Sequence, residues 1–191
     1  IGADGSYTYT ADQDAADALD LNDQVTDVFV YIADGATANL TITVTGINDA
    51  PVATNDTGSV NEDATLSVSN GSGDIIDNND TDADDSASLV VSAVRIGGVE
   101  GSGTAGTVGQ ALTGTYGQLT LNANGSYSYV ANQDAADDLD ASDQVTDVFN
   151  YTLSDGTATD TATITITVTG INDAPVADNE TGAVNEDATL T

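Results

Sequence analysis

Hydrophobic and polar positions alternate with period two over several stretches of this chain. The clearest reads Thr163-Ile164-Thr165-Ile166-Thr167-Val168, which sets aliphatics on one face of a strand and threonines on the other. Phe149, Tyr151 and Leu153 share a face in the same way and read as core. Alternation bounded by turn residues predicts strands over 65–69, 88–95, 116–122, 125–131, 144–153 and 161–171. Asn122-Ala-Asn-Gly125 and Asp155-Gly156 fall between such runs and read as hairpin turns, because Asn and Gly tolerate positive φ. Only 134–139 looks helical, for one or two turns, with Asp134 in the position of a cap. The pairs Tyr7/Tyr9 and Tyr127/Tyr129 each put two rings on one strand face, where packing accounts for them better than ligand stacking. Together these elements predict an all-β fold, an antiparallel Greek-key β-sandwich of the Ig or cadherin-like type.

Self-comparison sets the organisation. Residues 11–31 recur at 131–151, and 43–53 recur at 167–177, offsets of 120 and 124 residues. Pro51 and Pro175, the only prolines, follow Asn-Asp-Ala in both copies; proline there stops strand pairing and stiffens an extended linker. The division predicted is the end of one repeat over 1–49, a whole repeat over 50–173, and the start of the next over 174–191. This phase predicts a window on a longer tandem array. The other reading has 174–191 completing the first repeat of a neighbouring chain by strand donation.

Composition narrows the function. There are 32 acidic side chains against one basic residue, no His, no Cys, and a net charge of −31. No basic patch can form to neutralise phosphates, so nucleic acid and anionic membrane surfaces are excluded as partners. Without His or Cys there is no Ser-His-Asp triad, no thiol nucleophile and no ordinary zinc site. No apolar run is long enough to span a bilayer, and the first residues do not read as a secretory leader. Self-repulsion at this charge opposes any compact state unless cations bind. The chemistry left to this alphabet is coordination by oxygen, which suits calcium.

The carboxylates are clustered. In the stretch from Asp74 to Asp85, Asp80, Asp82 and Asp84 alternate as in the first half of a calcium loop, with Asp77 and Asn79 able to add oxygens. The full twelve-residue calcium-loop pattern is not met, since no Gly follows Asp84. The repeat boundary supplies Asn48, Asp49, Asp56, Glu62 and Asp63, copied as Asn172, Asp173, Glu180, Glu186 and Asp187. An ion held there would bridge two domains and stiffen the joint. A third cluster surrounds the short helix: Asp134, Asp137, Asp138, Asp140, Asp143 and Asp147. Asp147 shares the face of Phe149 and Tyr151, so it must lie at a wet strand end or bind something. Paired carboxylates also serve glycosidases, but the aromatic platforms and basic partners of such sites are missing here, and no catalytic residues are assigned.

The run from Gly114 to Tyr129, the segment Asp147-Val-Phe-Asn-Tyr-Thr-Leu-Ser-Asp-Gly156 and the closing Thr-Gly-Ile-Asn-Asp-Ala-Pro175 resemble a VCBS repeat. That module is similar to the cadherin-like and bacterial Ig-like extender domains of giant RTX-type adhesins. Asp85 stands where the family has Gly. The resemblance implies a secreted, calcium-stiffened stalk module of a bacterial surface protein, serving spacing, adhesion or biofilm formation. Its partners are neighbouring repeats of the same chain. The rival is a subunit of a self-assembling extracellular filament or surface layer, with identical chains as partners.

Overall fold

In the computed structural model, residues 1–71, 73–77, 79–84, 87–175, 177–187 and 189 are described. Among these described residues, two one-turn helices and ten strands follow one another: α1 (Asp14–Asp17), β1 (Gln24–Ala33), β2 (Ala36–Thr45), β3 (Asp56–Asn61), β4 (Thr65–Val68), β5 (Val90–Ile96), β6 (Ala111–Thr113), β7 (Gln118–Leu121), β8 (Tyr127–Val130), α2 (Asp134–Asp137), β9 (Gln144–Ser154) and β10 (Thr159–Thr169). One sheet has the order β3-β10-β9-β5 and the other β4-β8-β7-β6, while β1 and β2 form a hairpin of their own. The chain changes sheet between β3 and β4, β4 and β5, β5 and β6, and β8 and β9. The result is a two-sheet β-sandwich.

The threonine–aliphatic alternation becomes β10, a central strand with Ala162, Ile164, Ile166 and Val168 buried. Its neighbour β9 contributes Phe149, Tyr151 and Leu153, and the opposite sheet contributes Leu119, Leu121, Tyr127 and Tyr129. Tyr129 meets Phe149 edge to face, with ring centroids 6.4 Å apart, the arrangement that ring quadrupoles favour. The tyrosine pair of β8 is therefore core. Both expected hairpins form: Gly125 between β7 and β8 has φ 85°, and Gly156 between β9 and β10 has φ 99°.

Three expectations need correction. Strand β3 runs parallel to β10, so the sandwich is not wholly antiparallel. Strands β3 and β6 carry too little apolar alternation to have been read from the sequence; β3 is Asp-Thr-Gly-Ser-Val-Asn. It fits at the edge because Gly58 has no side chain: a Cβ there would meet Ile166 Cδ1 and Leu66 Cδ2 at 2.8 Å. The helix ends at Asp137, and its N-cap residue is Gln133, with no side-chain capping bond. Asp134 is thus inside the first turn.

Asp147 is resolved by the sandwich itself. Although only 4% exposed, its carboxylate accepts bonds from the N–H groups of Thr115 (2.9 Å), Tyr116 (3.0 Å) and Gly117 (3.2 Å) and from the Tyr129 hydroxyl (2.6 Å). The carboxylate satisfies a loop that no strand could pair, and it does so from the core end of β9. Burial, followed by this bond to Asp147 and the charge of Asp147, pushes the Tyr129 hydroxyl far above its ordinary range. Replacement Asp147→Asn would aim an amide donor at groups that are themselves donors. It is expected to lower the unfolding free energy by about 2–3 kcal/mol, measured by urea denaturation; an unchanged midpoint would refute this role.

Candidate metal centre

The alternation Asp82-Ala-Asp84 brings two carboxylates to one end of the sandwich, where the β9–β10 turn delivers a third. Oxygens of Asp82, Asp84 and Asp155 lie within 4.8 Å of one another. At an effective dielectric of 20, each such pair of charges repels by roughly 3 kcal/mol. Nothing basic offsets this: the one cationic side chain, Arg95, reaches the Gly103 carbonyl at 3.4 Å.

The linker after β2 closes over the group. Asn48 Nδ2 donates to Asp155 Oδ2 at 2.8 Å, and the Asp49 N–H donates to Asp84 Oδ2 at 3.0 Å. Within the loop, the Asp84 N–H donates to Asp82 Oδ1 at 3.0 Å. The other oxygens, Asp82 Oδ2 and Asp84 Oδ1, are buried without a hydrogen-bond partner. Buried, unpartnered carboxylate oxygens are costly unless a cation or donor meets them. The neighbouring cleft is lined by Asp20, Leu21, Asn48, Asp84, Ser88 and Asp155. Hard oxygen donors only, several of them charged, fit calcium by donor type and match neither the nitrogen nor the sulfur ligands of zinc.

The sequence marks Asp155 only as a turn residue. It lies 71 positions after Asp84, so only folding could join them. Bonds from the Ala158 N–H, the Asn48 side chain and the Thr157 N–H hold its carboxyl below the ordinary value of 3.8.

The remaining candidates separate. The boundary residues do not share one ion, because β3 stands between them. Its six residues pair from Asp56↔Ile164 to Asn61↔Thr169, and at ~3.3 Å per residue that strand spans about 20 Å. Asn48 and Asp49 therefore go to the end holding Asp82 and Asp84, and Glu62 and Asp63 to the opposite end. There Glu62 is 1% exposed; its Oε1 accepts the Ile171 N–H, and its Oε2 is buried without a partner. Desolvation, then the charges of Asp63, Asp134, Asp173 and Asp138, push the Asp137 carboxyl up; among the described residues, these carboxylates do not converge as Asp82, Asp84 and Asp155 do. Asn172 and Asp173 follow it in an exposed stretch, and Glu186 and Asp187 are exposed beyond them.

Asp80 does not join Asp82 and Asp84. Its Oδ1 accepts the Thr54 N–H at 2.7 Å and the Thr54 hydroxyl at 3.2 Å, which turns it towards Asp160 and Tyr151. Asp56 is buried beside it and accepts the Tyr151 hydroxyl at 2.9 Å. Burial is the main cause that raises the Asp80 carboxyl above 3.8. Asp77 and Asn79 are exposed, and Asp77 is not among the three converging carboxylates. Asp74, in the same acidic stretch, instead ties a turn by accepting the N–H groups of Gly71, Ile76 and Asp77. Asp147 is occupied by protein donors, as described, and Asp85 lies outside the described residues.

The profile of the bacterial cadherin-like domain matches residues 48–170. No curated protein is similar to the chain at a significant level. Among solved structures, the endo-fucoidan hydrolase MfFcnA4 from glycoside hydrolase family 107 is 14% identical, with a TM-score of 0.35; the match covers 78% of this chain and 19% of that one. The mouse clustered protocadherin PcdhgC3 EC1-3 is 17% identical, with a TM-score of 0.37, covering 78% of this chain and 42% of that one. The chain thus spans about a fifth of the length of the hydrolase.

The carboxyl shifts make a pH prediction for the metal-free protein. Asp80 and Asp137, raised in the folded chain, take up protons on acidification before the unfolded chain does, so stability rises as pH falls towards 3.8. Asp155, held low, contributes above 3.8 and its contribution is lost below that value. In EGTA the thermal midpoint should therefore climb from pH 7 to about 4 and then fall. A midpoint that only declines over that range would contradict the charge placement.

Proposed function

The chain belongs to the bacterial cadherin-like domain family, and from that premise we propose that it is a calcium-stiffened extender of a secreted bacterial surface adhesin. The observation that carries this reading is the convergence of Asp82, Asp84 and Asp155 under the linker residues Asn48 and Asp49, with two buried oxygens left without partners. A calcium ion would supply positive charge where the protein has none. Asp82, Asp84 and Asp155 would hold it from the sandwich, and Asn48 and Asp49 from the preceding segment. At the other end Glu62, Asp63, Asp137, Asn172 and Asp173 would do the same for the following one, with Glu186 and Asp187 repeating the role of Glu62 and Asp63.

Such an arrangement acts mechanically. The linker bonds to Asp84 and Asp155 are backbone and amide contacts to groups that repel one another, so the joint is held only while that repulsion is neutralised. With both ends of the sandwich occupied, successive repeats would form a rod that carries a binding domain away from the cell, in adhesion or in a biofilm matrix. The role is structural rather than catalytic. Among the described residues no helix is long and apolar enough to cross a membrane.

Thermal unfolding of the whole chain in EGTA and in millimolar CaCl₂, at constant ionic strength, tests this reading. A site filled to 100 times its dissociation constant adds about 2.7 kcal/mol to stability, so a clear rise in midpoint is expected with calcium and not with equivalent MgCl₂ or KCl. Asp84→Asn should remove part of that rise, and Asp77→Asn should leave it intact. A midpoint indifferent to calcium would end this reading and leave the charge as surface solvation.

A further inference from the structure

We propose that β3 and β10 form a shear clamp, the element that keeps the sandwich closed when the chain is pulled lengthwise. The clamp consists of protein bonds alone; that tension reaches it rests on the extender reading. Strand β3 runs parallel to β10, from Asp56↔Ile164 to Asn61↔Thr169. The chain enters the sandwich at the start of β3 and leaves it at the end of β10, which are opposite ends of this pair. Tension therefore draws the two strands past each other along their length. The bonds of a parallel ladder are evenly spaced, so in that direction they are strained together rather than one after another.

The segment leading into β3 is tied down residue by residue. Val52 exchanges both backbone bonds with Thr81, at 2.7 and 3.1 Å. The Ala53 N–H donates to Asp160 at 2.9 Å, and the Thr54 N–H to Asp80 at 2.7 Å. The Tyr151 hydroxyl lies 2.9 Å from both the Thr54 carbonyl and the Asp56 carboxylate, its one proton shared between them. Asn55 Oδ1 accepts the Thr163 N–H and the Thr163 hydroxyl, each at 2.9 Å. That side chain carries the ladder one step ahead of the strand.

The far end is closed in the same way. The Glu62 N–H donates to the Thr169 carbonyl at 3.0 Å, and the Glu62 carboxylate accepts the Ile171 N–H. Load leaving along β10 thus meets β3 where that strand ends. Asp56 and Glu62 are both buried and keep water, which would replace a strained ladder bond, from either end of β3. Between them Gly58 lets the strand lie against Ile166 and Leu66, with no room for a Cβ. Strand β10 is also held by β9 over eleven paired positions, whereas β3 is held in its sheet by β10 alone. The β3–β10 ladder is therefore the one that parts first.

Forced unfolding reads the unfolding rate rather than the equilibrium stability. The chain has no cysteine, so pulling axes can be chosen with pairs of thiols. DNA handles on the whole chain at Ala50→Cys and Ala174→Cys load the β3–β10 ladder in shear. Handles at Ala50→Cys and Thr157→Cys hold the sandwich from one end, where Asn48 bonds Asp155, and peel β3 from β10. At equal loading rate the rupture force is expected to be several-fold higher on the first axis, in EGTA as in millimolar CaCl₂. Release of roughly 400 Å of chain on that axis marks the event as unfolding of the sandwich. At constant force on the shear axis, Asn55→Ala, at an exposed position, should unfold several-fold faster, and Ser67→Ala, exposed on β4, at an unchanged rate. Equal forces on the two axes, a difference present only in calcium, or equal effects of Asn55→Ala and Ser67→Ala would each overturn the clamp. A protein indifferent to calcium that keeps the axis difference loses the calcium reading and retains the clamp. One stabilised by calcium with equal forces does the reverse.

Discussion

Negative charge without a countercharge governs this molecule. With a single arginine in the chain, no carboxylate can be neutralised by an ordinary salt bridge, and each must be hydrated, hydrogen-bonded or met by a cation. Like charges in contact are costly, and burial raises that cost. The apolar sandwich is ordinary by comparison: two sheets, one aromatic pair at its centre, and aliphatics alternating along β10. What distinguishes it is how the buried acids are disposed around that core.

They fall into two kinds. Asp147 and Asp74 are spent on backbone amides, three N–H groups each, with a tyrosine hydroxyl added for Asp147. These residues do for loops what ladder bonds do for strands, and their charge is dispersed over donors at hydrogen-bond distance. Asp82, Asp84 and Glu62 are of the other kind, each with an oxygen buried and unpartnered. They stand at the two ends of the sandwich, where chain enters and leaves. Asp80 shares this pattern, with one oxygen taken by Thr54 and the other buried and unpartnered, but it faces Asp160 and Tyr151 rather than the group at Asp82 and Asp84.

Strand positions followed from the sequence, because period-two alternation is a local property. Six stretches read as strands from 65 to 171 overlap β4, β5, β7, β8, β9 and β10, and both glycine-bearing hairpins form. Strands β3 and β6 were not legible, since edge strands bury one short face and need no strong pattern. The wealth of acid and the alternation of Asp82 and Asp84 were equally visible, and they pointed to oxygen coordination. What each carboxylate does was decided by tertiary structure alone. Asp155 reaches Asp84 only when β9 and β10 fold back, Glu62 parts from Asn48 only because β3 has length, and Asp147 meets its donors only when β8 and the loop at 115–117 pack over β9. A side chain's charge is written in the sequence; its partners are set by which ends of which strands come together.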